Sequence, residues 1–273
     1  MEAIGLIAGN GRLPFLFAEA AKEQGLRVVA VAHRGETDPA LEGVVASLTW
    51  VRVGQVNRIV NALRAAGVDR AVMAGGIGRV RALTEARPDL GALKLVARVR
   101  SFRDDALLRA VAELFADEGI SIVAPTDFLQ RLLTPRGHLA GPPLDAAAEK
   151  DISLGIEVAT ALGVADVGQT VVVRLGHVLA LEAVEGTDEA IRRGGRLGGK
   201  GAVVVKLCKM GQDERFDLPA VGVATLKVMH EVGARALAVE AGKTILLDGE
   251  RTFEAARRFG VSVVGVARGV KKP

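Results

Sequence analysis

The stretch AIGLIAGNGRLP, residues 3–14, decides the fold. The short apolar run from Ala3 to Ala8 reads as a buried strand. Gly9 ends it, and Pro14 suits the first turn of a helix predicted from Pro14 to Gln24. A strand, a glycine turn and a helix in immediate succession open a parallel sheet covered by helices. The same alternation continues outward. RVVAVA (27–32), SLTWV (47–51), RAVMA (70–74) and SIVA (121–124) read as strands. Val56–Ala66 and Asp104–Glu118 read as helices stopped by Gly67 and Gly119. Residues 1–133 are therefore predicted to form an N-terminal Rossmann-like parallel-sheet domain.

The composition changes at TPRGHLAGPP, 134–143, with three prolines and two glycines, which reads as a linker. The remainder, 144–273, is predicted as a mixed α/β domain. A helix is expected over Leu144–Leu162, and QTVVVRLGHVLALEAVEG (169–186) carries a hairpin signal around Gly176-His177. A short helix at Asp188–Arg193, strands at 202–207 and 235–240, and a helix at Ala224–Glu231 follow. KTILLD (243–248) is expected to turn back on RALAVE (235–240), and a helix at 250–259 and the strand VSVVGV complete the chain.

Apolar residues are 49% and charged residues 25% of the 273, so the chain is of globular and not disordered composition. One cysteine, Cys208, forms no internal disulfide and fits a reducing compartment. The start MEAIGLIAGNG lacks the basic and long apolar regions of a secretory signal, and no run approaches a membrane span. Aromatics are 3%, too few for a base-stacking surface, so no nucleic-acid partner is expected. A net charge of +4 favours an anionic partner, a phosphorylated metabolite or an anionic membrane surface among them.

Four patterns carry chemistry. Gly9-Asn10-Gly11-Arg12-Leu13-Pro14 follows the first strand, where glycines let backbone N–H groups meet an anion at a helix start; a plain tight turn is the bland alternative. An NAD site is disfavoured, because Pro14 replaces the third glycine and His33-Arg34-Gly35 offers no carboxylate at the end of the second strand. Gly75-Gly76-Ile77-Gly78 ends the fourth strand, where open parallel sheets bind ligands. Gly194–Gly201, GGRLGGKG, matches G-x-x-x-x-G-K but continues with Gly201 in place of Ser or Thr and precedes a strand, so it is no ATPase P-loop. A basic loop closing on phosphate through Lys200, or an ordinary surface loop, remains. Finally Glu182, Glu185, Thr187 and Asp188, with Lys206, Lys209, Gln212, Asp213, Arg215 and Asp217, supply hard oxygen ligands and cations suited to magnesium and phosphate; helix caps and a solvated turn are the alternative. A basic amphipathic stretch from Arg79 to Arg103 reads as a surface helix or a membrane-surface contact.

GLIAGNGRLP (5–14), AGGIGRV (74–80), DDALLRAV (104–111), DISLGIEVA (151–159), DVGQTVVV (166–173), LALEAVEGTD (179–188), GGKGAVVVK (198–206), QDERFDLPAVG (212–222) and ALAVEAGKTILLD (236–248) occur in this order. Together they resemble the UDP-2,3-diacylglucosamine pyrophosphatase family of lipid A synthesis, the magnesium-dependent, non-calcineurin-like (LpxI-type) kind. The resemblance implies a two-domain hydrolase that cuts the pyrophosphate bond of UDP-2,3-diacylglucosamine, releasing UMP and 2,3-diacylglucosamine 1-phosphate. It implies Mg2+ as cofactor and a cytoplasmic protein held peripherally at the inner membrane. Oligomeric state is left open by the sequence, a homodimer being the commonest assembly of small enzymes.

Under the resemblance, Asp188 and Asp213 are the expected metal ligands, and Glu185, Asp188 and Asp213 the expected ligands or bases. Lys206 and Arg215 would neutralise the pyrophosphate. Gly9, Asn10, Gly11, Leu13, Gly75, Gly76, Ile77 and Gly78 would hold the UDP, with Thr187, Lys200 and Thr225 also on the substrate. One position departs from the family pattern. The helix after the DLP turn usually opens Asp-Thr; here it opens Ala224-Thr225. A catalytic carboxylate replaced by Ala224 predicts binding with little turnover, neutral drift being the alternative. A non-catalytic nucleotide-sugar or lipid binder is the competing reading, and an NAD-dependent oxidoreductase a weaker one.

Overall fold

A computed structural model describes residues 2–78, 87–92, 104–210, 213, 215–216 and 218–268. Arg79, Arg81, Lys94, Arg98, Arg100 and Arg103 of the amphipathic stretch, with Gln212 and Asp217, lie outside the described residues. The chain divides into two units, Met1–Gln130 with Asp213–Asp217, and Arg131–Gln212 with Leu218–Pro273.

The first unit is a five-stranded sheet, all parallel, of β1 (Ala3–Ala8), β2 (Arg27–His33), β3 (Ser47–Val51), β4 (Arg70–Ala74) and β5 (Ser121–Val123). Its order is β3-β2-β1-β4-β5. The central β1 is buried on both faces, which is why its sequence is a continuous apolar run. Helix α1 (Leu13–Glu23) covers it with Phe15, Leu16 and Phe17, and Phe17 meets Phe128 edge-on. Helix α2 (Val56–Ala65) buries Val56, Ile59, Val60 and Leu63, one face at helical spacing. Helix α3 (Asp104–Asp117) adds Phe115 to the same core. Phe216, carried in from the later segment, also packs there.

The second unit is a six-stranded mixed sheet. In chain order it has β6 (Gly137–Ala140), α5 (Ala146–Val164), β7 (Thr170–Arg174), β8 (His177–Leu181), α6 (Thr187–Gly198), β9 (Val203–Lys206), β10 (Ala220–Val221), α7 (Val223–Glu231), β11 (Ala236–Glu240), β12 (Ile245–Leu246), α8 (Gly249–Phe259) and β13 (Ser262–Val266); the four-residue α4 (Thr126–Leu129) ends the first unit. The sheet order is β6-β13-β11-β9-β7-β8. Strands β9, β11 and β13 are parallel, and β6, β7 and their partners pair antiparallel. Successive side chains alternate faces. Val171, Val173, Val203, Val205, Ala236 and Ala238 pack with α5 residues Ile152 and Ala159. Val172, Val204, Leu237 and Val239 pack with Ile191, Leu226, Met229 and Ala256 on the other face. Among the described residues no helix is long and apolar enough to cross a membrane.

Three sequence expectations are corrected. Residues 134–143 are not all linker, because β6 lies within them and pairs with β13. It is an edge strand, and its prolines flank it without costing ladder hydrogen bonds. KTILLD does not return onto β11: both edges of β11 are occupied by β9 and β13, so β12 pairs in parallel with β10 instead. The GGRLGGKG segment is no phosphate loop in its first half, because Gly194–Gly198 continue α6. There the glycines serve close packing. A Cβ on Gly194 would stand 2.6 Å from Val172 Cγ1, and one on Gly195 2.3 Å from Val232 Cβ.

Gly195→Ala tests this packing. Alanine gains about 1 kcal/mol of helix propensity over glycine, whereas overpacking against a branched side chain costs about 1–3 kcal/mol. Denaturant unfolding is expected to show net destabilisation; a stabilised variant would contradict the close approach.

Candidate functional site

Each unit places one polar constellation at the carboxyl ends of its parallel strands. In the first unit the strand order reverses between β1 and β4, and the two glycine loops after these strands meet there. Gly9 N donates to Ala74 O at 2.8 Å and Asn10 N to Gly76 O at 2.7 Å. A Cβ on Gly9 would lie 2.3 Å from Gly76 O, and one on Gly75 2.3 Å from Asn10 O, so only glycine permits the approach. Gly75 and Gly11 also have φ of +85° and +83°.

This alters the expected phosphate cradle. The N–H groups of Gly9 and Asn10 are spent on the β4 loop. At the start of α1 the Leu13 N–H is left for a ligand, because Pro14 has none, Phe15 N and Leu16 N donate to Arg12 O, and Arg12 provides no side-chain cap. Gly76 faces Asn10, Ile77 is exposed, and Gly78 faces Glu36.

Glu36 is the residue that sequence reasoning missed. No carboxylate was expected at the end of β2, yet the turn beyond it carries Glu36 back to the glycine loop, where Glu36 Oε2 accepts from Asn10 Nδ2 at 2.9 Å. The sequence signal was an acid three residues past the strand instead of at its end. A clamp on one carbonyl sets this turn. His33 Nδ1 lies 2.9 Å from Ala8 O, and Thr37 Oγ1 donates to the same oxygen at 2.7 Å. His33 N donates to Thr37 Oγ1, closing the ring. A carbonyl only accepts, so the proton is on Nδ1. Burial pushes the His33 pKa down, opposed by the Ala8 bond and the Glu36 charge.

In the second unit the constellation centres on Lys206, the last residue of β9 and buried. Lys206 Nζ donates to Thr187 Oγ1 at 3.1 Å and to Ala220 O at 3.3 Å. Thr187 Oγ1 donates to Glu182 Oε1 at 3.0 Å, and Glu182 is itself buried. Thr170 stands opposite Lys206 in the ladder with its hydroxyl 3.4 Å from that of Thr187. Lysine, threonine and glutamate thus form one chain of contacts.

Around this chain the helix starts are open. Helix α5 is capped by Asp145, which accepts from Ala148 N at 2.7 Å. Helices α6, α7 and α8 have no side-chain cap. They follow β8, β10 and β12, so all three begin on the side where β8, β9 and β11 end. Their first N–H groups and dipoles favour an anion there. Thr187 and Asp188 lie in the first turn of α6; Ala224, exposed, and Thr225, buried, lie in that of α7.

Asp213 and Arg215 belong to the first unit, whereas Asp188 belongs to the second. Arg215 forks onto Asp213, with Nε 2.9 Å from Oδ1 and Nη2 2.6 Å from Oδ2. That guanidinium holds the Asp213 carboxyl below the usual carboxylate range, and Arg215 is raised in turn. Glu185 is held down by its own backbone N–H and by Arg193, which makes it a weak base. Lys200 stands beyond the end of α6, about 18 Å along the helix from Thr187, and packs beside Gly233. It cannot share the Thr187 constellation.

Among the described residues no group of three or more His, Cys, Asp or Glu side chains is gathered for a metal. Lys206 and the open helix start put positive field on the Glu182, Thr187 and Asp188 oxygens. This donor set fits a phosphate and does not fit a bare magnesium ion.

The chain matches the LpxI N-terminal domain over residues 3–132 and the LpxI C-terminal domain over residues 135–264. It is 34% identical over 278 residues to UDP-2,3-diacylglucosamine pyrophosphatase LpxI of Caulobacter vibrioides, covering 97% of this chain and 98% of that protein. Among solved structures, CobK precorrin-6A reductase aligns with a TM-score of 0.33 at 14% identity, covering 100% of this chain and 90% of that one. N5-carboxyaminoimidazole ribonucleotide synthetase from Thermotoga maritima aligns at 0.28 and 15%, covering 70% and 43%. Scores this low bear on neither fold nor function.

His33 makes the first unit sensitive to acid. Its folded pKa lies below the ordinary value, so between the two the unfolded chain binds more protons. Stability is full above about pH 6.5 and falls as the pH drops through the lowered folded value. Urea unfolding followed by the single tryptophan, Trp50 on β3, should show this loss, and His33→Asn should flatten it.

Proposed function

The chain belongs to the LpxI family, and from that premise we propose that it acts on UDP-2,3-diacylglucosamine. It hydrolyses the pyrophosphate bond, giving UMP and 2,3-diacylglucosamine 1-phosphate. The observation that carries this reading is the buried Lys206 at an edge where α6, α7 and α8 open without caps. Such an edge receives a dianionic group and stabilises charge growing on a phosphoryl oxygen. The first unit supplies the nucleotide site through Gly11, Leu13 and the Gly75–Gly78 loop.

In this reading Lys206 holds the phosphoryl group, Thr187 passes a hydrogen bond from it to Glu182, and the first turns of α6 and α7 face the reacting phosphate. Asp188, exposed on α6, is the carboxylate best placed to orient water. Ala224 leaves the first turn of α7 without one, which favours a chain that binds its substrate and turns it over slowly. Magnesium enters this proposal from the resemblance alone. So does a peripheral place at the cytoplasmic face of the inner membrane, which suits a diacylated substrate; a homodimer is proposed only as the commonest assembly of small enzymes.

The test is UMP release from UDP-2,3-diacylglucosamine by this chain and by Ala224→Asp, with substrate binding measured alongside. A restored acid–base group is expected to raise release by about 10²–10⁴-fold. Binding without release in both forms supports a non-catalytic binder instead, and absence of binding in both contradicts the proposal.

A further inference from the structure

We propose that Val164, Val167, Val184 and Met210 of the second unit form an apolar rim that receives the acyl chains of the substrate beside Lys206; this rests on the UDP-2,3-diacylglucosamine reading above. Strand β7 runs antiparallel to β9 and begins opposite its last residue, Thr170 facing Lys206. The loop that enters β7 therefore lies at the Lys206 edge. So do the segment that follows β9 and the segment that leaves β8 for Thr187. On these segments four large apolar side chains stand in solvent: Val164 is 68%, Val167 49%, Val184 82% and Met210 53% exposed. Their segments adjoin. A Cβ on Gly163 would stand 3.4 Å from Met210 N, and one on Gly168 2.1 Å from Glu182 O, two residues before Val184.

The rim is held in shape by the way α5 ends. Val167 N donates to Leu162 O at 3.3 Å and Asp166 N to Gly163 O at 3.1 Å. This closing motif needs one residue in the left-handed region, usually glycine, and here Asp166 takes it at φ +56°. Lys209 Nζ pairs with Asp166 Oδ1 at 3.1 Å, which ties the segment after β9 to the same turn. In such a motif the residue at the place of Val167 frequently folds down onto the residue at the place of Leu162. Leu162 is buried, yet Val167 stays half exposed. Clustered apolar surface bordering a polar site is the mark of a binding surface. A ligand with a pyrophosphate and two acyl chains needs a cationic centre with an uncharged apolar border. Lys206 is that cation, and the charges of Lys209 and Asp166 offset each other within the rim. Each chain methylene buried there is worth up to about fourfold in affinity.

The experiment compares, by calorimetry, a water-soluble short-chain UDP-2,3-diacylglucosamine with UDP-N-acetylglucosamine. It uses the full chain, the triple variant Val164→Thr, Val167→Thr, Val184→Thr, and a control, Leu175→Asn with Leu197→Gln. The control changes two side chains as exposed as Val164, in the β7–β8 turn and the last turn of α6, at the edge away from Lys206. Circular dichroism checks that each variant is folded. The unaltered chain is expected to bind the diacylated ligand at least about tenfold more tightly than UDP-N-acetylglucosamine. The triple variant keeps the side-chain shapes and should lose most of that ratio by weakening the diacylated ligand, and the control should keep it. Met210→Gln, outside the α5 turn, should lower the ratio in the same direction. If the triple variant and Met210→Gln both keep the ratio, the inference falls. It falls also if the control loses the ratio equally, since the chains then attach to any apolar surface. If the unaltered chain binds both ligands equally, the rim holds no chain and the inference falls while the nucleotide reading stands. If neither ligand binds the unaltered chain, the reading above falls and takes this inference with it.

Discussion

A buried ammonium must find oxygen partners, and this requirement organises the second unit. Lys206 ends β9 inside the protein, and its Nζ reaches Thr187 at the start of α6 and Ala220 in β10. Removing one partner of a buried charge commonly costs about 3–5 kcal/mol. The contact therefore locks together the end of a central strand, the start of a helix and the two-stranded β10–β12 sheet. The same contact leaves a positive group beneath three uncapped helix starts. Structure and chemistry have one origin here, because the group that demands oxygen from the protein also attracts it from a phosphate.

The first unit obeys a different constraint, the backbone approach of Gly9 and Asn10 to Gly75 and Gly76. That approach consumes N–H groups which a phosphate loop would otherwise present. It shifts the anion-binding capacity to the start of α1 and brings the Glu36 turn to the crevice. Ala8 O, accepting from both His33 and Thr37, joins the ends of β1 and β2 at this point.

The alternation of strands and helices was legible because burial on both faces of β1 leaves an uninterrupted apolar run, and because α2 repeats its buried residues at helical spacing. Lys206 and Thr187 were legible as chemistry because they end a strand and begin a helix. Other features depended on pairing that local patterns do not encode. KTILLD reads as a hairpin return until both edges of β11 are known to be filled. Gly194 and Gly195 read as a loop until Val172 and Val232 are seen against them. That Asp213 and Arg215 pair with each other, in the unit to which the chain briefly returns, is likewise not encoded in their local pattern. Glu36 was hidden by a turn that closes over three residues.

The central claim is that Lys206 serves the substrate as well as the fold. Equilibrium binding of UDP-2,3-diacylglucosamine to this chain and to Lys206→Met tests it most directly, since methionine replaces the stem at similar volume, with denaturant unfolding and circular dichroism showing that the variant is folded in spite of the lost partner of a buried charge. The account predicts a folded variant that binds the substrate at least about tenfold more weakly, the loss of one charge-assisted contact. A folded variant with unchanged affinity would show that Lys206 only holds β9, β10 and α6 together, and would contradict the account.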